Sequence, residues 1–250
     1  MIKPAVSFGL SAALTRVAAG ALRAKAPGGR DRWERKNHAG RSVELYAGPA
    51  SALAVAVGAG RVSPAAGVAV AVAGICGAYD DVAGAGDPRS GFRAHLGALR
   101  GGEVTSGAVK LFGISAAGLL AGAFLKERPL DKLLAGVVIA GAAHFVNLVD
   151  VRPGRAAATV LALGAPGLLR RGPGAEVAAT AMGAAAAVLP DDLGERVMIG
   201  DTGAHALGAA LGAAVVAGNR RAGLVAHAAA VVAAAVYGDQ VSEAARGAGR

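Results

Sequence analysis

Long apolar segments separated by short polar breaks dominate this chain. Each is about 15–20 residues long, the length range of helices in a membrane bundle. Glycine and proline mark several of the breaks, for example at 60–64 and at Arg128-Pro129. The pattern predicts helical spans at 5–22, 46–60, 64–79, 106–125, 130–148, 156–170, 174–189, 202–217 and 222–238.

Composition favours a membrane protein over a soluble one. Hydrophobic residues make up 54% of the 250 residues, charged residues only 17%, and the mean hydropathy is +0.48. We therefore predict an all-α, polytopic bundle of about nine transmembrane helices that forms a single integral-membrane domain, residues 1–250. The richness in alanine and glycine suits close helix packing in lipid, although a GC-rich genome explains it equally well. A single cysteine, Cys76, excludes an intramolecular disulfide.

Charged residues are divided unequally between the two sets of predicted loops. One set holds most of the basic residues and nearly all of the acidic ones, so the positive-inside bias predicts that it is cytoplasmic. The net charge of +9 then reflects basic loops beside anionic lipid, with no nucleic-acid partner. The predicted cytoplasmic segments are 23–45, 80–105, 149–155, 190–201 and the tail 239–250. We interpret 5–22 as a retained first helix; a cleaved signal peptide is the alternative.

Acidic residues recur at the cytoplasmic ends of three predicted spans. These are the pair Asp80-Asp81, Asp150 and Asp201. Carboxylates at the end of an apolar helix are costly to desolvate unless they bind something, and Mg²⁺ takes a few of them together with phosphate oxygens. Simpler interpretations stay open: a solvated helix end for the pair, a membrane anchor beside Asp150, and an N-terminal helix cap for Asp201.

Other polar residues near these ends are candidates for binding phosphate. Asn147 lies one helical turn before Asp150, and His205 one turn after Asp201. The glycine-rich stretch 91–110 carries hydroxyls and basic residues suited to an anionic head group; a mobile loop is the alternative. The basic side chains considered are Arg93, Lys110 and Arg152.

Taken in order, these motifs resemble the polyprenyl-phosphate N-acetylhexosamine-1-phosphate transferases, which include the phospho-MurNAc-pentapeptide translocase of peptidoglycan synthesis. The residues that carry the resemblance are the basic segment Arg35-Lys-Asn37-His-Ala-Gly-Arg41, the pair Asp80-Asp81, NLVDVRPGRA from Asn147, GDTGAHALG from Gly200, and the 91–110 stretch. It covers about residues 30–217, and it is the order and spacing of the motifs, rather than any single one, that carries it.

The resemblance implies a homodimeric enzyme that moves a sugar-1-phosphate from a UDP-N-acetylhexosamine to a polyprenyl phosphate, with Mg²⁺ as cofactor and UMP as the second product. It implies catalytic roles for Asp80 and Asp81 at the lipid phosphate, and metal binding by Asp150 and Asp201. The implied substrate-binding residues are Asn147, Arg93, Lys110, Arg152, His205 and Asn37. The enzyme would lie in the plasma membrane with its active site facing the cytoplasm.

The sequence also departs from the family pattern. Pro153 stands where the family has a second Asp and Val151 where it has Gly, in the stretch associated with the nucleotide. The tail 239–250 has no histidine, whereas the family carries a His-rich motif in its last cytoplasmic loop. An inactive relative that binds lipid phosphate or organises envelope-synthesis partners is therefore the alternative hypothesis. A small transporter is a third, which predicts acids in the middle of the membrane.

Overall fold

The computed structural model describes residues 2–84 and 97–247, and it is all-α apart from one small hairpin. Its helices are α1 (Ile2–Lys25), α2 (Ala47–Val62), α3 (Pro64–Ala83), α4 (Ser106–Leu125), α5 (Pro129–Val149), α6 (Arg155–Leu168), α7 (Pro173–Leu193), α8 (Gly200–Gly218), α9 (Arg221–Val236) and α10 (Gly238–Gly247). All nine predicted spans coincide with α1–α9, within a few residues at each end. The all-α prediction is confirmed.

Among residues 2–84 and 97–247, four helices are long and apolar enough to cross a membrane: α1, α3, α4 and α5. A fifth span arises if α9 and α10 are counted together, although they meet at a bend of 84°. The described part of the chain therefore has four or five helices with the length and hydropathy of a membrane span, which is compatible with a membrane protein.

Helix α8 forms the centre of the bundle. Nearly every residue from Thr202 to Ala214 is buried, and α8 packs against α2, α3, α5 and α7. Small residues allow this close approach, because a Cβ atom at Gly212 would lie 2.7 Å from the Ile139 Cα atom of α5. Helix α1 packs on α2 and α7, away from α8. Because α8 is held on several sides, residues at its ends have fixed positions.

The segment between α1 and α2 is more ordered than the loop predicted at 23–45. It contains a 3₁₀ turn (Arg30–Trp33) and an antiparallel pair of strands, β1 (Glu34–Lys36) and β2 (Ser42–Glu44). The Trp33 ring stacks on the buried Tyr46 ring at a centroid distance of 4.8 Å. These contacts hold the basic segment against the bundle.

Two predicted boundaries are wrong. The tail predicted as a loop at 239–250 forms α10 over Gly238–Gly247, which is anchored where the Ser242 hydroxyl donates to the Leu148 carbonyl oxygen at 2.8 Å. The predicted loop 80–105 begins too early, because α3 continues through Asp80 and Asp81 to Ala83. The two carboxylates therefore project from the last turn of a regular helix.

Candidate functional site

Three helix ends meet at one end of the bundle, which we call the acidic end; the opposite end is the outer end. The last turn of α3 carries Asp80 and Asp81, the first turn of α8 carries Asp201, and α4 contributes Lys110 just after its first turn. The start of α4 is fixed locally, because the Thr105 hydroxyl accepts from the Ala108 backbone N–H at 3.1 Å. Three elements far apart in sequence therefore place three acidic residues and one lysine at the same end of the bundle.

Lys110 bridges two of these carboxylates. Its Nζ donates to Asp80 Oδ2 at 2.6 Å and also to Asp201 Oδ2. The three side chains are only 18–26% exposed, so their charges interact more strongly than at an open surface. One basic group thus serves two acidic groups, and the formal charge of this triad is −1 when all three are ionised.

Asp81 has a different role, because it caps the N-terminus of α8 from across the helix interface. Its Oδ1 accepts from the Asp201 N–H at 3.0 Å, and its Oδ2 accepts from the Thr202 N–H at 3.0 Å and the Thr202 hydroxyl at 2.6 Å. The residue at the cap position itself, Ile199, has no oxygen in its side chain. A carboxylate at this place also interacts favourably with the helix dipole. The alternative interpretation of Asp201 as the helix cap is therefore wrong, because Asp81 is the cap and the Asp201 carboxylate contacts Lys110. The predicted role of Asp201 in metal binding stays a prediction.

Two glycines make this contact between α3 and α8 sterically feasible. A Cβ atom at Gly77 would overlap the Asp201 backbone carbonyl group. A Cβ atom at Gly200 would lie 3.0 Å from both Asp81 carboxylate oxygens, and Gly200 has φ +56°, which a side chain rarely adopts. The Gly200-Asp201 sequence thus serves the geometry of the cap as well as supplying an acid.

Asp150 lies in the loop between α5 and α6, at the same end. Its side chain makes no hydrogen bond with any residue that the structure describes. Burial raises its pKa well above the ordinary value, and the negative charges of Asp192, Asp201 and Asp81 raise the pKa further. Asp192 is itself buried and accepts from the Gly154 N–H at 3.0 Å, which fixes the loop. An unpaired carboxylate next to other acids is the arrangement that a cation would relieve.

Asn37 is tied into the basic segment. Its side-chain oxygen accepts from the Ala39 and Arg41 N–H groups at 2.9 and 3.0 Å, and its Nδ2 donates to Glu195 Oε2 at 2.6 Å. Arg35 from the same segment donates to the Asp81 backbone oxygen at 3.1 Å. The observed contacts of Asn37 are structural, and its role in binding substrate stays a prediction.

The remaining predicted residues have varied surroundings. His205 is buried, with its Nδ1 2.7 Å from the Asp201 carbonyl oxygen, so it stabilises the first turns of α8. Asn147 is half-buried and Arg152 is exposed, and neither side chain makes a hydrogen bond within the described ranges. Arg93 lies outside the described residues. The substrate-binding roles of all four stay predictions.

Sequence reasoning missed two acids that organise this end, Asp192 and Glu195. A signal was available, because Asp191-Asp192 is a second acidic pair just before a glycine in a predicted cytoplasmic loop. Arg41 pairs with Glu195 at 3.1 Å, so these acids join the basic segment and the 150–155 loop to the end of α7. Their role is to position the loops around the candidate site.

A cavity of about 450 Å³ opens beside Asp81 and Thr202. Most of its wall is apolar, including Leu45 and Val82, and Arg32 and Arg35 also line it. The combination suits a molecule with an apolar chain and an anionic group.

The site was also compared with metal centres and known proteins. Among residues 2–84 and 97–247, no group of three or more His, Cys, Asp or Glu side chains is placed to hold a metal ion. A scan against protein-family models and a search of curated proteins both found no match to the chain.

Proposed function

We propose that this protein is a membrane transferase that moves a sugar-1-phosphate from a UDP-N-acetylhexosamine to a polyprenyl phosphate, with release of UMP, in the synthesis of cell-envelope polysaccharide or peptidoglycan. The observation that carries the proposal is the triad of Asp80, Lys110 and Asp201, whose chain neighbours Asp81 and Thr202 line an apolar cavity that also contains arginine. The motif order that resembles the transferase family supports the same reaction.

The reaction joins two anions, so it depends on charge neutralisation and positioning more than on covalent catalysis. An oxygen of the lipid phosphate attacks the β-phosphorus of the UDP-sugar, and the bond from that phosphorus to the oxygen of UMP breaks. Lys110, held by Asp80 and Asp201, would present its ammonium group to phosphate oxygens. Asp81 would act as a positioning residue, because it fixes the turn of α8 that carries Asp201.

Mg²⁺ is the cofactor in this proposal, and the protein offers some of the oxygen ligands that the ion needs. Asp150 and Asp201 would hold the ion and Asn147 offers a third oxygen, while water and substrate phosphates complete the shell, as is usual for Mg²⁺. The raised pKa of Asp150 supports this assignment, since its cause includes neighbouring negative charge that a cation would offset. Bound there, the ion would neutralise charge on the phosphates of the donor.

The proposed function also requires an orientation of the helices in the membrane. Helices α1–α9 all cross the plasma membrane, with the shorter ones tilted or surrounded by their neighbours, and the acidic end faces the cytoplasm. The basic segment between α1 and α2 supports this orientation, because it lies against the acidic end through Arg35 and Asp81. The functional unit in this proposal is a homodimer.

The test is identification of the lipid product. Purified protein is incubated with undecaprenyl phosphate, Mg²⁺ and each of several UDP-N-acetylhexosamines, and the lipid fraction is analysed by mass spectrometry. The proposal predicts a lipid whose mass has increased by one sugar phosphate with one donor of the panel. No such lipid with any donor, from protein that binds the lipid phosphate, would contradict it.

Two observations favour a second candidate, a lipid-phosphate binder without catalysis. Lys110 already neutralises much of the charge on Asp80 and Asp201, and Pro153 replaces an acid in the nucleotide motif. This candidate predicts saturable binding of undecaprenyl phosphate that UDP-sugars do not change.

A further inference from the structure

A second cavity, of about 430 Å³, lies between α1, α2 and α7 and extends toward the end opposite the acidic site. Arg23 near the C-terminus of α1 pairs at 2.6 Å with Glu44, three residues before α2, and α1 packs along α2, so the two helices run antiparallel. Arg61 in the last turn of α2 and Glu176 in the first turn of α7 therefore mark the outer end of this cavity. Leu14 and Val17 of α1 line its deeper part.

Ser11 lines this cavity and has an unpartnered hydroxyl group. Its side chain is 4% exposed, and its Oγ makes no hydrogen bond with any described residue. Serine in a helix usually bonds a carbonyl one turn earlier, as the Thr15 hydroxyl does to the Ser11 oxygen at 2.8 Å. Because an unsatisfied buried hydroxyl is costly, its position beside an open cavity points to a partner supplied by a ligand.

Two opposite charges line the cavity without pairing with each other. Neither the Arg61 guanidinium nor the Glu176 carboxylate makes a side-chain hydrogen bond or ion pair with a residue in the described part of the chain. Charged groups near the end of a membrane helix are stabilised by head groups or by a counter-charge. A cation and an anion held apart match a ligand that carries both charges.

The deeper walls are apolar. Leu10, Leu14 and Val17 of α1 and Val57 of α2 line the cavity, and Val17 is 68% exposed on the outside of the bundle. The cavity thus passes from two charges, through the Ser11 hydroxyl about one turn deeper, to an apolar surface that lies against the lipid chains. This is the polarity profile of a phospholipid.

We propose that the cavity is a binding site for a zwitterionic phospholipid with a primary ammonium group, of the phosphatidylethanolamine type. Its phosphate lies at Arg61, its ammonium at Glu176, its glycerol-ester region at Ser11, and one acyl chain along Leu14 and Val17. The site is separate from the acidic end, and the proposal does not rest on the transferase function.

The test is native mass spectrometry of the delipidated full-length protein, titrated with phosphatidylethanolamine or with phosphatidylglycerol of the same chains. The wild type should bind phosphatidylethanolamine about tenfold more tightly, since one charge-assisted hydrogen bond has about this effect on affinity. Glu176→Gln should remove the preference and leave phosphatidylglycerol binding unchanged. Arg61→Gln should weaken both lipids about tenfold.

Matched controls lie at the same end but outside the cavity. Glu127→Gln and Arg171→Gln change exposed residues in neighbouring turns and should leave both affinities unchanged. Ser11→Ala should weaken phosphatidylethanolamine binding about threefold without lowering the melting temperature of the delipidated protein, whereas a purely structural role for Ser11 would lower it.

Equal affinity of the wild type for the two lipids, or a preference that survives Glu176→Gln, would overturn the proposal. So would a dimer that binds neither lipid in this cavity and dissociates when Leu14→Trp fills it, because the occupant would then be a second copy of the chain.

Discussion

Asp131 at the outer end of the bundle is paired differently from the acids around Lys110 at the acidic end. At the outer end, Asp131 has its own partner, Arg221, which donates to both carboxylate oxygens at 2.6 and 3.2 Å. At the acidic end, Asp80 and Asp201 share Lys110, and Asp150 has no side-chain hydrogen bond within the described residues. Acids without a full set of counter-charges lower stability, and such groups are common at functional sites. A one-to-one ion pair, by contrast, is sufficient to join two helix ends.

The largest expected difference between the ends is in activity. Asp80→Asn removes a charge that holds Lys110, so we expect kcat for UMP release to fall roughly 10³-fold, the order of effect that a misplaced charge-stabilising group has. Asp131→Asn at the outer end should leave kcat unchanged. Steady-state kinetics with both variants in the same detergent checks this. A similar kcat for the two variants would contradict a catalytic role that is specific to the acidic end.

Lys110→Met should have the largest effect on stability. It leaves Asp80 and Asp201 facing each other without a cation, and breaking such a pair costs about 3–5 kcal/mol. Adding Asp80→Asn to this variant should restore part of the loss, since it removes one of the two like charges. Thermal unfolding of the single and double variants measures the coupling; additive effects would show that the three residues do not interact.

Asp81→Asn tests the cross-helix cap. The amide keeps one acceptor oxygen but turns an NH₂ group toward the N–H groups of α8. We therefore expect the free energy of unfolding to fall by about 2–3 kcal/mol. The matched change at the outer end, Asp131→Asn, should lower the melting temperature much less, as is usual for an exposed ion pair. Equal melting temperatures for the two variants would show that Asp81 is not a cap.

Asp150→Asn should have the smallest effect, and of opposite sign. The raised pKa means that the folded state favours the neutral acid, so this contribution to stability is lost as pH rises through the raised pKa. Above that pH a neutral amide should stabilise the protein and raise its melting temperature. The gain should vanish at a pH below the ordinary aspartate pKa; a variant that melts lower than wild type above the raised pKa would contradict this account.

The helices could be predicted from the sequence because their signals are local. Apolar runs bounded by glycine and proline predicted α4 over its full extent, from Ser106 to Leu125. The hairpin was missed because Glu34–Lys36 and Ser42–Glu44 are short and polar, without the alternation of a strand. Helix α10 was missed because Gly238–Gly247 is too polar to be read as a span.

The sequence identified several residues of the candidate site but not the contacts between them. The acids at helix ends were visible, whereas the Lys110 bridge joins positions 30 and 91 residues apart, which no local pattern encodes. The alternative interpretation of Asp201 as the cap of α8 rested on a rule that considers only neighbours in sequence. The cap comes from Asp81, 120 residues earlier, and only packing of α3 on α8 brings it there.

The central claim is that the acidic end transfers a sugar phosphate between two phosphates. The most direct test is UMP release by the purified wild-type protein with a UDP-N-acetylhexosamine, undecaprenyl phosphate and Mg²⁺, with each component omitted in turn, beside Asp201→Asn and Asp131→Asn. The account predicts release that requires all three components, is lost in Asp201→Asn and persists in Asp131→Asn. Release that persists without the lipid phosphate, or in Asp201→Asn, would contradict it.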